Sequence, residues 1–263
     1  MTCSLIITTY NWKEALELVL LSALSQSHLA DEIIIADDGS REDTKELIEK
    51  FRSNAKIPII HSWQEDEGFR AARSRNLAVA KAKGEYIILI DGDMILHHEF
   101  IKDHLSFAQK GSFVQGGRVL LGEALSSRLL KEKSIEIPFF EKDIKNRKNA
   151  LHSNLLSQIF SKESKSLKGI KTCNMAFFKS DFELVNGFNN LFVGWGREDS
   201  EFIVRVMNAG IQRRNLKFHA IAYHIWHQEN SRQSLPENDK LLEKSMELQL
   251  TSCEDGVREV ASQ

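Results

Sequence analysis

The sequence predicts an α/β fold in which a mostly parallel sheet is covered by helices on both faces. Three observations carry this reading. Four apolar runs, "SLIITT", "EIIIA", "IPIIHS" and "EYIILI", recur between residues 4 and 90. Stretches of helical spacing separate them. Each run is apolar on consecutive rather than alternate residues, which suits strands buried on both faces. Right-handed crossovers then make this half Rossmann-like.

The first run is a strand ending in Thr8-Thr9-Tyr10-Asn11. "KEALELVLLSALSQ" follows as a helix, with Ala15, Leu18, Val19 and Ser22 on one face. "EIIIA" is the second strand, closed by "DDGS". There Asp37 and Asp38 serve as turn and capping residues ahead of the helix "REDTKELIEKFRS". "IPIIHS", "FRAARSRNLAVAKAK" and "EYIILI" give a third strand, a third helix and a fourth strand. Beyond residue 111 the pattern changes. "SFVQGGRVLL" reads as a strand interrupted by Gly-Gly. Residues 122–168 are charged and weakly helical, so they are expected to form an insertion or a mobile excursion. "KTCNMAFFKSDFELVNGF" reads as strand, turn and short helix. "GWGREDSEFIVRVMNAG" is a loop entering a helix that Gly210 ends at C′. "LKFHAIAYHIWHQEN" is a last strand with three histidines, followed by a polar tail with a helix at 238–250 and a frayed end. The expected organisation is 1–110 as one half, 111–235 as a second, and 236–263 as a tail.

Several classes of function lose support at this stage. The net charge is −2, with 27% charged and 42% hydrophobic residues, so nothing argues for nucleic acid. Basic clusters in 128–148 and 162–171 are compatible with an anionic lipid surface or a charged acceptor. The three cysteines, Cys3, Cys173 and Cys253, form no C-x-x-C pair, which favours a reducing compartment. The opening residues lack the basic n-region and cleavage site expected of a signal peptide, and no run of about 18 apolar residues occurs. The expectation is a cytoplasmic protein, with peripheral contact at the inner face of the membrane left open. Neither G-x-G-x-x-G after the first strand nor G-x-x-x-x-G-K-[ST] is present, which removes the main support for a dinucleotide fold or a P-loop.

Acidic and hydroxylic residues occupy the strand ends instead. In open α/β sheets ligands bind outside those ends. Asp91-Gly92-Asp93 closes the fourth strand, and hard divalent cations such as Mg²⁺ and Mn²⁺ prefer carboxylate oxygen. The pair is equally readable as a solvated turn capping a helix near His98. His224 and His227 lie three apart. They point to opposite faces on a strand and converge on a turn. A core histidine and an exposed one fit the same spacing. A metal beside Asp93 that needs nitrogen makes His227 the better ligand, with His224 as a second ligand or support. Glu198 and Asp199 open a helix, where they complement its dipole. The flanking Gly194-Trp195-Gly196 additionally lets the indole act as a plate for a sugar ring, beside which a carboxylate is a natural general base.

Together "LIITTYN", "IADDGS", "GFRAARSRNLAVAKAKGEYIILIDGDM", "TCNMAFFKSDFELVNGF", "GWGREDSEF" and "YHIWHQ" resemble, in order, the motifs of family 2 nucleotide-sugar glycosyltransferases with the GT-A fold. The resemblance spans roughly residues 3–230. Its later motifs are most similar to the branch related to bacterial chondroitin polymerase and the C-terminal region of galactosyltransferases. It implies an inverting enzyme that moves a hexose or N-acetylhexosamine from a UDP-sugar to a hydroxyl of a saccharide or lipid-linked saccharide, in surface polysaccharide or lipopolysaccharide synthesis. It further implies Thr8 and Tyr10 in the uridine pocket, Asp38 accepting from uracil N3–H, and Arg70 near the base or diphosphate. Asp91 would meet the ribose or donor sugar, and Trp195 would stack on sugar. Asp93 and His227 would hold Mn²⁺ or Mg²⁺, with His224 in the place of a second ligand. Asp199 is implied as the catalytic base and Glu198 as its neighbour holding hydroxyls. Relatives often carry glycine or alanine where Arg197 stands, and 122–168 matches no motif. A metal-dependent hydrolase and a non-catalytic nucleotide-sugar-binding module are the alternatives. The sequence specifies neither the sugar nor an oligomeric state.

Overall fold

The computed structural model describes residues 1–228 and 233–261. The chain runs β1 (Cys3–Thr9), α1 (Lys13–Leu24), β2 (Glu32–Asp37), α2 (Glu42–Arg52), β3 (Ile59–Trp63), α3 (Ala71–Lys81) and β4 (Tyr86–Asp91), as the apolar runs predict. Then come β5 (Met94–Leu96), α4 (Phe100–Phe107), β6 (Ser112–Gln115), β7 (Val119–Leu120), α5 (Glu123–Glu132), α6 (Asn154–Phe160) and β8 (Lys162–Ser164). The remainder is β9 (Asn174–Phe178), α7 (Lys179–Leu184), α8 (Glu198–Asn208), β10 (Gln212–Asn215), β11 (Ala222–His224), α9 (Leu235–Glu247) and α10 (Val257–Ala261).

One eight-stranded sheet, ordered β3-β2-β1-β4-β9-β6-β10-β8, runs through both halves of the chain. β1 to β4 pair in parallel, and β9 enters between β4 and β6 antiparallel to both. β10 again runs parallel to β6. Side chains alternate faces along a strand, and both faces here are apolar. Leu5, Ile7, Ile33, Ile35, Ile88 and Ile90 pack with α1, α2 and α4 residues. Ile6, Ile34, Ile87 and Leu89 pack on the other side with Phe182, Phe188, Phe202 and Val206. Burial of such a side chain contributes about 1.5–3 kcal/mol, so this double-sided core fixes the register of the strands whose ends carry the site.

A second, three-stranded sheet, β5-β11-β7, sits over its own apolar cluster of Ile95, Val119, Leu121, Leu125, Leu129, Ile144 and Tyr223. It corrects three expectations. "SFVQGGRVLL" is two strands, because Gly116-Gly117 carry the chain from the large sheet to the small one. Residues 122–168 are an ordered part of the fold: α5 buries Leu125 and Leu129, and β8 pairs with β10 as an edge strand. The expected last strand is only three residues long. Its chain leaves the ladder after His224, and Glu229 and Asn230 lie outside the described residues. The tail helix begins at Leu235, with Pro236 in its first turn. The end expected to fray instead carries α10, which buries Val257 and Val260 and packs on α3; residues 262–263 lie outside the described residues.

Candidate active site

A cleft of about 1000 Å³ opens where the carboxyl ends of β1 and β4 meet the small sheet. Its lining includes Thr8, Tyr10, Asp38, Asp91, Asp93, Trp195, Glu198, Asp199, His224 and His227. Of the eleven residues singled out from sequence, ten are thereby brought together. Arg70 is the other. Its side chain pairs with Glu67, while its backbone N–H donates to Asp38 Oδ2 at 2.7 Å. The guanidinium at the site belongs to Arg75.

Arg75 is buried and donates from Nε to Thr8 Oγ1 at 3.2 Å and from Nη1 to Glu198 Oε1 at 3.1 Å. Its Nη2 lies 3.5 Å from Asp91 Oδ1. It therefore ties β1, β4 and the start of α8 together. A signal for it exists in the sequence: Ala71, Arg75, Ala78 and Ala82 recur at i, i+4, i+7 and i+11, and all four are buried. An arginine on the apolar stripe of a helix has to find partners inside.

Asp91 ends β4, and Gly92 turns the chain so that its N–H meets Thr8 O at 2.6 Å. A Cβ at Gly92 would stand 2.8 Å from that oxygen, so the turn needs glycine. The turn delivers Asp93 toward the small sheet, where His224 Nε2 and His227 Nε2 lie 3.3 and 3.2 Å from its Oδ2. The histidines converge because the strand stops at His224, which settles the question left by their spacing. Among the described residues Asp93 Oδ1 is buried without a hydrogen-bond partner. The Nδ1 of His227 faces the Gln228 carbonyl at 2.6 Å, and a carbonyl only accepts, so Nδ1 carries the proton. The Nε2 lone pair then faces a carboxylate oxygen, an arrangement that calls for a cation or a second proton between them. Accordingly the contact with Asp93, against the effect of burial, raises the pKa of His227. Burial pushes His224 down to about 4 despite Asp93, leaving its nitrogen lone pair available. Two imidazoles and a carboxylate within 4.8 Å of one another fit the donor preference of Mn²⁺.

Burial also drives the carboxyl of Asp91 up to about 6, opposed by Arg75. Asp38 rises to about 6 by burial, held back by the Arg70 N–H and by Gln64, whose Nε2 lies 2.5 Å from Oδ1. Asp199 rises to about 7, through burial first and the neighbouring Glu198 second. Its Oδ1 accepts from the N–H and hydroxyl of Ser200 at 2.6 and 3.2 Å. Asp91, Glu198 and Asp199 thus all act on the Arg75 guanidinium, while Asp93 faces the two histidines. A carboxylate facing two imidazoles rather than the guanidinium favours a bound cation there.

Trp195 stands at the mouth between Gly194 and Gly196, whose φ of 78° and 105° suit glycine. Arg197 continues the same loop at φ 77°, uncommon for a residue with a side chain, and its Nε pairs with Asp239 Oδ1 at 2.5 Å. Tyr10 is half exposed and donates its hydroxyl to Asp66 at 3.0 Å.

The model of "Glycosyl transferase family 2" matches residues 4–164, and that of "N-terminal domain of galactosyltransferase" matches residues 157–228. Chondroitin synthase of Escherichia coli is 28% identical over 84% of this chain and 34% of its own length. Hyaluronan synthase of Pasteurella multocida is 26% identical over 79% of this chain and 23% of its own length. The chain thus spans about a third or less of these relatives. A further relative, "UDP-Glc:alpha-D-GlcNAc-diphosphoundecaprenol beta-1,3-glucosyltransferase" of Escherichia coli, is 40% identical over 34% of the chain. The crystal structure of Staphylococcus aureus TarS superposes with a TM-score of 0.64 at 18% identity, covering 95% of this chain and 65% of that one. These relatives support neither the hydrolase nor the binding-module alternative. The fold is GT-A, and on the family match to more than half its length the chain belongs to glycosyl transferase family 2.

Proposed function

We propose that the chain is a metal-dependent inverting glycosyltransferase moving a hexose or N-acetylhexosamine from a UDP-sugar to a hydroxyl of a saccharide or lipid-linked saccharide. The observation that carries this reading is the convergence of Asp93, His224 and His227 with Asp199 in one cleft. Crystal structures of TarS in complex with UDP and with UDP-GlcNAc exist, and the glucosyltransferase named above takes a diphosphoundecaprenol-linked sugar by its name. Both lend support to the donor and acceptor classes. Uridine is assigned to Thr8, Tyr10 and Asp38, the donor sugar to Asp91, and sugar stacking to Trp195.

Asp93, His227 and His224 would hold Mn²⁺ or Mg²⁺, and such an ion supplies Lewis-acid stabilisation of the diphosphate leaving group, worth several kcal/mol. Asp199 Oδ2 accepts the proton of the acceptor hydroxyl as its oxygen attacks C1 from the face opposite the nucleotide. The C1–O bond to UDP breaks, its electron pair leaves on the β-phosphate oxygen, and the anomeric configuration inverts. A carboxylate held near neutrality is a better base than an ordinary aspartate, and general-base help is worth about 10²–10⁴-fold. Glu198, fixed by Arg75, holds hydroxyls beside it.

The assigned setting is surface polysaccharide or lipopolysaccharide synthesis at the cytoplasmic face of a membrane. Among the described residues no helix is long and apolar enough to cross a membrane. Exposed Phe140, Leu155, Ile159 and Phe160, with the basic clusters of the same segment, support peripheral contact. The test is UDP release from a panel of UDP-sugars, with and without Mn²⁺ and a saccharide acceptor. Mn²⁺-dependent release stimulated by acceptor is expected. Release indifferent to acceptor would mark a hydrolase, and no release from any donor would reject the reading.

A further inference from the structure

A second group of metal-ligating side chains lies apart from the cleft. Asp103 on α4, His152 ahead of α6 and His219 ahead of β11 place a carboxylate oxygen and two ring nitrogens within 4.8 Å of one another. None of the three lines the cleft. Asp103 is 5% exposed, and its ion-pair contacts among the described residues are both with imidazoles. His152 Nε2 lies 3.0 Å from Oδ2 and 3.3 Å from Oδ1, and His219 Nδ1 lies 3.8 Å from Oδ1. Backbone bonds hold the three segments together. The Ala220 N–H donates to Asp103 Oδ2 at 2.8 Å, and the Ser153 N–H donates to Phe218 O at 3.0 Å. The turn carrying His219 is left-handed at both neighbours, with φ of 59° at Phe218 and 45° at Ala220, a conformation that side chains disfavour. The His152 ring stacks on those of His97 and His219, at centroid distances of 4.9 and 4.8 Å.

The protons of this group leave one contact unanswered. His219 Nε2 faces Asn154 Oδ1 at 2.8 Å, and an amide oxygen only accepts, so Nε2 carries the proton. Nδ1 then turns a lone pair toward a buried carboxylate, which repels it unless a cation or a second proton stands between them. Burial lowers the pKa of His219 against the pull of Asp103, and so disfavours the second proton. Burial, and next His152, lowers His97 as well, so the stacked rings resist charge. His152 Nε2 can meet the carboxylate with a proton of its own, but that hydrogen bond does nothing for the His219 lone pair. A divalent ion bonded to the carboxylate and both imidazoles satisfies all three. Zn²⁺ takes histidine nitrogen and aspartate oxygen alike, and with three protein ligands it keeps its fourth position for water. Both histidines are partly exposed, which leaves that position accessible.

We propose that Asp103, His152 and His219 form a second metal site, one for Zn²⁺, that clamps the far end of the small sheet. β5 and β11 pair from Met94 opposite His224 to Leu96 opposite Ala222. Asp93 and His224 stand at one end of this ladder. At the other end the His97 N–H donates to Ile221 O at 2.9 Å, and the turn bearing His219 enters there. The ion joins α4, the segment before α6 and the turn into β11, and takes no part in the chemistry of the cleft. His152 thereby gives the motif-free segment 122–168 a role in fastening the small sheet to the large one.

The test is calorimetric titration of Zn²⁺ into the full chain carrying His224→Ala/His227→Ala, which removes the imidazoles of the cleft. A single equivalent is expected to bind. Adding His152→Gln or His219→Gln should weaken that binding about tenfold or more, whereas His98→Gln, at an exposed neighbour, should leave it unchanged. Zn²⁺ at a hundredfold excess over its Kd should raise the melting temperature by about 5 °C or more. Anomalous diffraction at the zinc edge from Zn²⁺-loaded wild-type crystals decides the matter even where a variant fails to fold, and a peak bonded to Asp103, His152 and His219 is expected. No binding to the folded His224→Ala/His227→Ala chain, binding that survives His152→Gln/His219→Gln, or a wild-type peak confined to the cleft overturns the inference. Glycosyl transfer enters none of these readouts, so the inference stands or falls apart from the proposed function.

Discussion

Asp199 concentrates the tension between folding and chemistry at the scale of a single residue. Its pKa is raised by burial and by Glu198. A carboxyl raised in this way contributes its full stability only below the unfolded-state pKa, and that contribution is lost as pH climbs through about 7. Asp199→Asn is therefore expected to raise the melting temperature at pH 8 by several degrees, a gain that shrinks toward pH 4 and is read by thermal scans. The same variant should retain UDP binding and lose transfer by about 10²–10⁴-fold. In the wild type at saturating Mn²⁺, kcat/KM should rise with pH and level off above about 7. A flat profile would remove Asp199 as the base. At Asp93, alanine should abolish Mn²⁺-dependent UDP binding in titration calorimetry. Because a proton and the ion compete for His227, Mn²⁺ affinity should weaken by up to about tenfold per pH unit below its raised pKa. Most of these residues were legible in sequence because they sit directly at strand and helix ends. Arg75 was hidden beside Arg70, which precedes the helix, and Arg73, which shares it, and only its place on the alanine stripe distinguishes it.

Among the elements, α9 decides how well the proposed base is held. It packs on α8 and reaches the loop before α8 from behind. Asn238, 2% exposed, donates to Gly196 O at 2.9 Å, Asp239 pairs with Arg197, and Ser245 donates to Glu201 at 2.8 Å. Asn238→Ala leaves the Gly196 carbonyl without this donor, at a cost of about 1–3 kcal/mol. The expected outcome is a lower kcat with UDP affinity preserved, measured by steady-state kinetics alongside calorimetry. Equal kcat would detach α9 from the site. The tail thus braces the loop that leads into Glu198 and Asp199, although its polar composition suggested an appendage. Other elements escaped the sequence for a different reason. β10 is "QRRN" and β5 only "MIL", too short or too polar for periodicity to register, and both owe their existence to partners far along the chain. In 122–168 the Leu125–Leu129 pair was the one trace of a buried helix face amid the surrounding charge.

For the molecule as a whole, the parallel half was readable because its strands are apolar on both faces, and the mixed half was not, because its order depends on pairings between distant segments. The consequence lies in the placement of β9. A strand from late in the chain is hydrogen-bonded on both sides, between β4 and β6, so the half proposed to receive the nucleotide and the half proposed to receive the acceptor share one continuous ladder. Clamshell opening would tear that ladder, and on the proposed function the substrates are expected to enter with the two halves held rigid relative to each other. Small-angle scattering should accordingly give the same radius of gyration with and without UDP and Mn²⁺, and compaction on binding would show that the rigid picture is mistaken.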